Sequence, residues 1–251
     1  MDLSGVTVVL PALDEAEAVA AALASFPPGV DLLVVDNGSS DGTAAVAAAA
    51  GARVVAEPRR GFGAACWAGV LASPHAEVLA FADADGSFDG ADLAAVAGPV
   101  LRGQADLVVG SRTTGASAPG AMTPFAVAAN RTLGLACRLL FGIPLSDLGP
   151  FRAVRRDTLL ALGIRDRGQG WPLEMIGRAG RAGLRVAEVP VRYRPRAGGA
   201  SKVSGSLRGS LRATAAMAAV TGRLLAESPR TRAHRASRQL AVAPRSRDAG
   251  R

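Results

Sequence analysis

The feature that most constrains this chain is the alternation of short apolar runs with alanine-rich helical stretches over residues 1–110. The runs predict strands at Val6–Leu10, Leu32–Val35, Arg53–Ala56, Val78–Ala82 and Asp106–Val109. The stretches between them predict helices at Asp14–Ser25, Asp41–Ala50, Gly63–Ala72 and Asp89–Leu101. Strands that alternate with helices build βαβ units with right-handed crossovers. We therefore predict an α/β fold with a mostly parallel central sheet flanked by helices.

The second half of the chain has a less regular pattern. It predicts helices at Thr123–Phe141, Asp157–Leu162 and Leu173–Ala182, a strand at Arg185–Val191, and an amphipathic helix at Ser206–Leu225. From Ser228 onward arginine and serine dominate and apolar residues are sparse, so we predict a disordered tail over 228–251. A chain of 251 residues is long enough for one sizeable core.

Charge is distributed unevenly along the chain. The formal net charge is −10 over residues 1–110, +12 over 111–227 and +6 over 228–251. This asymmetry predicts an anionic partner for the second half, or an arginine-coated solvated face. The sequence pI of about 11.1 also suggests a nucleic-acid-binding or membrane-binding protein without catalysis. The 4% aromatic content and the lack of a nucleic-acid motif weigh against a nucleic acid partner.

Neither the first residues of the chain nor its cysteine content indicates export. Residues 1–5 lack a basic and an apolar region, and no stretch of about 18 apolar residues occurs, so neither a signal peptide nor a transmembrane helix is predicted. Cys66 and Cys137 lack metal-ligand spacing and are interpreted as reduced core residues. We therefore expect a cytoplasmic protein.

Polar side chains cluster just after the predicted strands. They are Asp14-Glu15, Asp36-Asn37, Asp83-Ala84-Asp85 and Ser111-Arg112. In open α/β sheets ligands bind at the carboxyl ends of the strands, so these four loops predict one site. Two carboxylates one residue apart, Asp83 and Asp85, suit Mg²⁺ or Mn²⁺ bridged to a substrate phosphate, although such a pair is also common in turns and helix caps.

The segment Val35–Thr43 gives a second signal. Asp36 ends a predicted buried strand, and Gly38 and Gly42 permit tight turns before a helix that Ser40 or Asp41 would cap. A carboxylate at this point is suited to accept hydrogen bonds from a base or a ribose, and an ordinary turn has the same residues.

Several ordered motifs together resemble family-2 glycosyltransferases with the GT-A fold. The motifs are Pro11–Glu15, Val35–Thr43, Arg60–Ala65 and Asp83–Gly86, and then Gly110–Arg112, Asp147–Arg152, Glu188–Pro190 and Arg196–Lys202. The second group is similar to the branch of dolichol-phosphate mannosyltransferases and polyprenyl-phosphate glucosyltransferases. The match runs from about residue 6 to 225.

The resemblance implies domain bounds and roles for individual residues. A GT-A domain would span 1–227, with a nucleotide-binding half (1–110), an acceptor half (111–205) and the amphipathic helix (206–227). Asp83 and Asp85 would hold the metal, Arg112 would contact phosphate or the acceptor, and Arg196 would lie on a mobile loop over the diphosphate. The full set expected around the nucleotide sugar is Pro11, Leu13, Glu15, Asp36, Asp83, Ala84, Asp85, Arg112, Arg196, Ser201 and Lys202.

The implied reaction moves a hexose from GDP-mannose or UDP-glucose to a polyprenyl phosphate, with inversion. A phosphate acceptor needs no general base near pH 7. A hydroxyl acceptor needs one, and Asp147 and Glu174 are then the candidates. The positive segment predicts peripheral binding to an anionic membrane surface through residues 206–251, at the inner face of the cell membrane. A sugar nucleotidyltransferase is disfavoured because Pro11–Glu15 is acidic and lacks glycine.

The sequence departs from the family pattern at three positions. Asp14 stands where asparagine is usual, Asn37 where a second aspartate is frequent, and Ser87 where many mannosyl enzymes carry glutamine. These positions leave the base and the sugar open.

Overall fold

The computed structural model describes residues 1–119, 121–198 and 207–227, with the backbone alone at 124–126 and 207–213. A single sheet contains the strands β1 (Val6–Ala12), β2 (Asp31–Asp36), β3 (Arg53–Ala56), β4 (Val78–Phe81), β5 (Leu107–Ser111), β6 (Arg152–Arg155) and β7 (Val186–Pro190). Their order across the sheet is β3-β2-β1-β4-β6-β5-β7.

Helices cover both faces of this sheet. They are α1 (Val19–Ala24), α2 (Thr43–Ala49), α3 (Phe62–Leu71), α4 (Leu93–Leu101), α5 (Pro124–Phe141), α6 (Arg156–Leu162), α7 (Trp171–Arg181) and α8 (Leu207–Ala226), with a 3₁₀ turn at Gly90–Asp92. Within the described ranges, no helix combines the length and the hydropathy that crossing a bilayer requires.

The predicted α/β class is confirmed, with one strand that the pattern did not reveal. Strands β1, β2, β3 and β4 pair in parallel, as do β5 and β7, whereas β6 runs antiparallel between β4 and β5. Arginines at both ends of β6 conceal it in the sequence. Arg152 is nevertheless 1% exposed, because its guanidinium donates to the backbone oxygens of Leu148, Gly149 and Pro172. Those carbonyls satisfy donors that would otherwise be costly to bury.

The first predicted helix begins later than expected. α1 starts at Val19, and Asp14 has a left-handed φ of 51°. The Asp14 carboxylate accepts hydrogen bonds from the backbone and hydroxyl of Ser40, and the Glu15 N–H donates to the Thr43 hydroxyl at 2.8 Å. These bonds hold the residues after β1 as a loop, which keeps Glu15 at the edge of the sheet rather than on a helix.

The apolar core has two layers, one on each face of the sheet. Along β1, Val9 belongs to one layer while Val8 and Leu10 belong to the other, as strand alternation requires. Both cysteines are free and buried, as expected, and burial raises the pKa of the Cys137 thiol to about 11. This thiol is therefore protonated and inert near neutral pH.

Gly61 makes a close approach that only glycine tolerates. Its φ is +146°, and a Cβ there would lie 2.2 Å from the backbone oxygen of Arg167. The backbone oxygens of Arg167 and Gly168 also accept hydrogen bonds from the first turn of α3. The Ala64 N–H donates to Arg167, and the Gly63 N–H donates to Gly168. Gly61 therefore allows α3 to dock on the loop before α7.

We expect Gly61→Ala to lower the free energy of unfolding by about 2–4 kcal/mol, because it adds backbone strain and a clash with a carbonyl. The matched control is Gly222→Ala in α8, where a Cβ meets nothing within 4 Å. That variant should change stability by no more than about 1 kcal/mol. Urea denaturation of both variants is the measurement, and equal midpoints would contradict this account of Gly61.

Candidate active site at the carboxyl edge of the sheet

The polar loops predicted from the sequence follow the strands at one edge of the sheet. Ala12 at the end of β1 is in register with Asp36 at the end of β2, and β4 lies on the other side of β1. Glu15 follows β1 and the Asp83–Asp85 segment follows β4. Arg112 comes directly after β5, which runs parallel to β7 at the other side of the sheet.

Asp83 and Asp85 form a pair of interacting carboxylates. The Asp85 carboxylate accepts a hydrogen bond from the Ser87 N–H at 2.9 Å and forms an ion pair with Arg196 at 2.9 Å. Asp83 has no hydrogen-bond partner in the part of the chain that the structure describes. Burial, and then repulsion from Asp85, raise the pKa of Asp83 to about 7. Two such hard oxygen donors fit a divalent cation, which would offset this repulsion.

Residues 192–198, which we call the strap, run alongside the loop after β4. The backbone N–H of Arg194 donates to the backbone oxygen of Ser87 at 2.8 Å, and the backbone N–H of Ala197 donates to the backbone oxygen of Asp85 at 3.0 Å. Between these two anchors, Arg196 forms ion pairs with Asp85 and with Glu15, the latter at 2.5 Å. The strap thus brings a guanidinium to carboxylates that follow β1 and β4, although Arg196 and Glu15 are 181 positions apart.

The strap also explains part of the uneven charge distribution. Arg192 pairs with Asp89 and Asp92, and Arg194 pairs with Asp89. These arginines of the strap, which belong to the basic second half of the chain, therefore neutralise acidic side chains of the first half. The positive charge left over for an external anion is smaller than the sequence suggests.

Arg112 is held in a single orientation. The Asp147 carboxylate, which is fully buried, accepts hydrogen bonds from the Arg112 backbone, Nε and Nη2 at 2.7–2.8 Å. The ring of Tyr193 lies 5.3 Å from the guanidinium carbon. Burial opposes the charge of Arg112, but the hydrogen bonds and charge of Asp147 raise its pKa above the ordinary value. The guanidinium therefore stays charged and fixed at the edge of the site.

Glu188 of β7 supports Asp147 from behind. Its carboxylate accepts hydrogen bonds from the Ser146 N–H and hydroxyl and from the Asp147 N–H, at 2.7–3.1 Å. The order of contact is thus Glu188, then the 146–147 backbone, then Asp147, then Arg112. This chain of bonds fixes the guanidinium relative to the sheet.

The two carboxylates proposed as general bases are both engaged. Asp147 holds Arg112 as described, and within the described part of the chain its carboxylate accepts hydrogen bonds from the N–H groups of Arg112. Glu174 is 2% exposed, accepts from the Arg165 and Asp166 backbone, and forms an ion pair with Arg178. Each carboxylate therefore already has cationic or N–H partners in the structure, and the role of general base for a hydroxyl acceptor stays a prediction for both residues.

The remaining predicted positions divide between the site and its surroundings. Pro11 lies in β1, Leu13 directly follows β1, and Ala84 is buried between the two aspartates. The Asp36 carboxylate accepts the Ser39 N–H at 2.9 Å, which closes the turn after β2. Ser201 and Lys202 lie outside the described residues.

Asn37 explains one departure from the family pattern. Its amide nitrogen donates to the backbone oxygens of Glu57 and Arg59, and its oxygen accepts the Gly61 N–H, each at 2.8 Å. An aspartate lacks the donor that the two carbonyls require. Asn37 therefore anchors the loop before α3 in this chain.

The sequence analysis missed Tyr193. Its ring packs against Phe88 in a tilted arrangement, with 5.1 Å between the ring centroids, and also lies near Arg112. A signal was present, because Tyr193 is the one tyrosine of the chain and stands between two arginines. Its contacts with both halves of the site became visible only in the fold.

The comparisons with known proteins identify the family. The model for glycosyl transferase family 2 matches residues 7–160. The chain is a family-2 glycosyltransferase. The resemblance seen in the motifs is thereby confirmed. An uncharacterised glycosyltransferase of Mycobacterium tuberculosis is 50% identical over 208 residues, which cover 82% of this chain and 93% of that protein.

Two further relatives of this family-2 glycosyltransferase have names that state an acceptor. The undecaprenyl-phosphate mannosyltransferase of Micrococcus luteus is 31% identical over 226 residues and covers 81% of this chain and 89% of its own. The polyprenol monophosphomannose synthase of Mycolicibacterium smegmatis is 33% identical over 196 residues and covers 71% and 72%.

Solved structures place the fold of this family-2 glycosyltransferase in the GT-A class. Glucosyl-3-phosphoglycerate synthase from Mycobacterium tuberculosis, in complex with Mn²⁺, UDP-glucose and phosphoglyceric acid, superposes with a TM-score of 0.67. It is 26% identical, and the match covers 86% of this chain and 79% of that one. The relatives therefore divide between lipid-phosphate and phosphoglycerate acceptors.

Proposed function

We propose that this glycosyltransferase transfers a hexose from GDP-mannose or UDP-glucose to a polyprenyl phosphate. One observation carries the choice of acceptor. The site presents a fixed, charged Arg112, while both candidate bases, Asp147 and Glu174, are buried and bound to cations. A phosphate acceptor needs a cationic anchor and no base. Two relatives named for polyprenol or undecaprenyl phosphate support the same acceptor class.

The nucleotide-sugar donor would bind at the carboxyl edge of the sheet, where acidic residues lie at the ends of β1, β2 and β4. Pro11, Leu13, Glu15 and Asp36, which lie at or near the ends of β1 and β2, would surround the base and the ribose. Asp83 and Asp85 would hold Mg²⁺ or Mn²⁺ against the diphosphate, with Ala84 between them. The bound cation would neutralise charge that builds on the leaving group.

The proposed chemistry is a single displacement. A phosphate oxygen of the acceptor forms a bond to the anomeric carbon while the bond from that carbon to the diphosphate oxygen breaks. The nucleoside diphosphate leaves with the electron pair, and the anomeric configuration inverts. Arg112 would hold the acceptor phosphate, and Asp147, supported by Glu188, would keep Arg112 in position. The contribution of the protein is positioning and charge stabilisation.

Arg196 would act on the donor. Its guanidinium forms ion pairs with Glu15 and Asp85, and it lies beside the Asp83–Asp85 segment. A donor diphosphate with its cation would offer Arg196 a second anionic partner at the same place. Ser201 and Lys202, further along the chain, are proposed to contribute to the same contact.

We expect Arg196→Ala to lower kcat/KM for the nucleotide sugar about 100-fold, because a cation near the developing diphosphate charge is lost. The control is Arg185→Ala, which breaks an exposed ion pair with Asp106. This pair lies at the amino ends of β5 and β7, away from the site. That variant should stay within about twofold of the unmodified enzyme, since exposed pairs contribute little. Steady-state kinetics with a saturating acceptor would measure both, and equal losses would contradict the role of Arg196.

The proposed function is tested by a donor and acceptor panel. Thermal shifts with GDP-sugars and UDP-sugars, with and without Mn²⁺, identify the donor, and radiolabel transfer then identifies the acceptor. Transfer to polyprenyl phosphate is the expected result. Transfer to phosphoglyceric acid in its place would favour a phosphorylated hydroxyl acceptor, as the structural likeness to glucosyl-3-phosphoglycerate synthase suggests.

A further inference from the structure

The outer face of α5 has an unusual surface. Six large hydrophobic side chains are exposed among the described residues, and three of them belong to α5: Leu135 at 57%, Leu139 at 73% and Leu140 at 42%. Leu135 and Leu139 are four positions apart and therefore lie on the same side of the helix. Ala128 and Thr132 are also exposed and extend this line toward the amino end.

Basic side chains border the exposed leucines. Arg131 and Arg138 are exposed and seven positions apart, so they share a face next to Leu135. No acidic residue occurs between Arg112 and Asp147. The surface of α5 therefore combines apolar side chains with positive charge and has no negative charge of its own.

The inner face of α5 is fixed to the segment that supports Arg112. Asn130 and Cys137 are buried, and a Cβ on Gly134 would lie 2.3 Å from the Leu145 oxygen. Leu145 immediately precedes Ser146 and Asp147. The exposed leucines thus lie on the outer face of α5, and its inner face packs against the loop that holds Arg112.

We propose that the face of α5 formed by Leu135, Leu139, Arg131 and Arg138 docks on the surface of an anionic lipid bilayer. Leucines at the acyl boundary with arginines reaching the head groups are the composition of a helix that lies in the membrane interface. Negative lipid head groups complement the two arginines. A second copy of the chain fits less well, because a symmetric contact would place arginines against arginines without an acidic partner on α5.

Docking through α5 would place Arg112, the residue proposed to hold the acceptor phosphate, near the membrane. A lipid phosphate held by Arg112 would have its chain close to the bilayer. The docking surface itself is argued from α5 alone, whereas this use of it rests on the proposed function. It differs from the expected attachment through residues 206–251, most of which lie outside the described side chains.

The test measures insertion of α5 in the full chain. Leu139→Trp and the control Leu71→Trp each add an indole at an exposed leucine, on α5 and on α3 respectively; Leu71 is 59% exposed. Each is mixed with phosphatidylcholine vesicles containing about one quarter phosphatidylglycerol, with or without brominated acyl chains. We expect brominated lipid to quench the added fluorescence at least about threefold more in the α5 variant.

Two results of the vesicle experiments would overturn the proposal. One is equal quenching of both variants while the protein sediments with vesicles, which would assign binding to another surface. The other is absence of sedimentation with anionic vesicles. Leu139→Gln should weaken vesicle binding about tenfold, and Leu71→Gln should leave it unchanged. A fall in the dimer population of lipid-free Leu139→Gln would instead identify a second copy as the occupant.

These measurements need no sugar transfer. If vesicle insertion is found and no lipid phosphate accepts a hexose, the proposed acceptor is wrong and the docking surface stands. If transfer to lipid phosphate is found without insertion of α5, the docking surface is wrong and the proposed function stands.

Discussion

Asp85→Asn is expected to lower kcat/KM for sugar transfer about 1000-fold, equivalent to roughly 4 kcal/mol of transition-state stabilisation. The substitution keeps the shape of the side chain, and its oxygen can still accept the Ser87 N–H that Asp85 accepts in the structure. It removes one of the two negative oxygen donors at the end of β4 and also weakens the ion pair with Arg196. Steady-state kinetics over a range of Mn²⁺ concentrations would measure the loss.

A matched control separates this effect from a general loss of charge. Asp31 lies at the other end of β2 and forms a half-exposed ion pair with Arg53. Asp31→Asn should leave kcat/KM within about twofold of the unmodified enzyme. Retention of full activity by Asp85→Asn, or an equal fall in both variants, would remove the metal assignment.

Asp147→Asn is expected to lower the free energy of unfolding by about 3 kcal/mol, because it leaves the largely buried charge of Arg112 without its counter-ion. For a chain of this length the melting temperature should fall by roughly 6–12 °C. Calorimetry would measure the shift. The variant should also raise the KM for the acceptor, since Arg112 would lose its fixed orientation.

An exposed ion pair provides the comparison for Asp147. Glu77 pairs with Arg155 at 2.6 Å, with 52% and 37% of the side chains exposed. Glu77→Gln should cost less than about 1 kcal/mol and leave the KM for the acceptor unchanged. A melting temperature of Asp147→Asn equal to that of Glu77→Gln would contradict the role given to the Arg112–Asp147 pair.

Local patterns were sufficient to predict most of the sheet. The apolar runs that became β1 to β5 are bounded by turn residues, and their polar neighbours fall at the carboxyl edge because parallel strands end there. β6 escaped prediction because burial of Arg152 depends on carbonyls from Leu148, Gly149 and Pro172, which only the folded chain brings together. A charged residue in a short run reads as exposed until its partners are known.

The site was predictable in its residue types and not in its pairings. Strand ends indicated Glu15, Asp83, Asp85 and Arg112, but contact between Arg196 and Glu15 depends on the path of the strap across the site. The partners of Asp147 and Glu174 were hidden for the same reason. A carboxylate in a sequence has no visible partner, and whether it is a base or a counter-ion is decided by the arginines and amides around it.

The most direct test of the central claim is binding of Mn²⁺, followed by electron paramagnetic resonance in the presence of a nucleoside diphosphate. The account predicts one tightly bound Mn²⁺ per chain, with binding lost in Asp85→Asn and retained in Asp31→Asn. Equal Mn²⁺ binding by Asp85→Asn and the unmodified chain would contradict it, because the carboxylates after β4 would then not be the ligands.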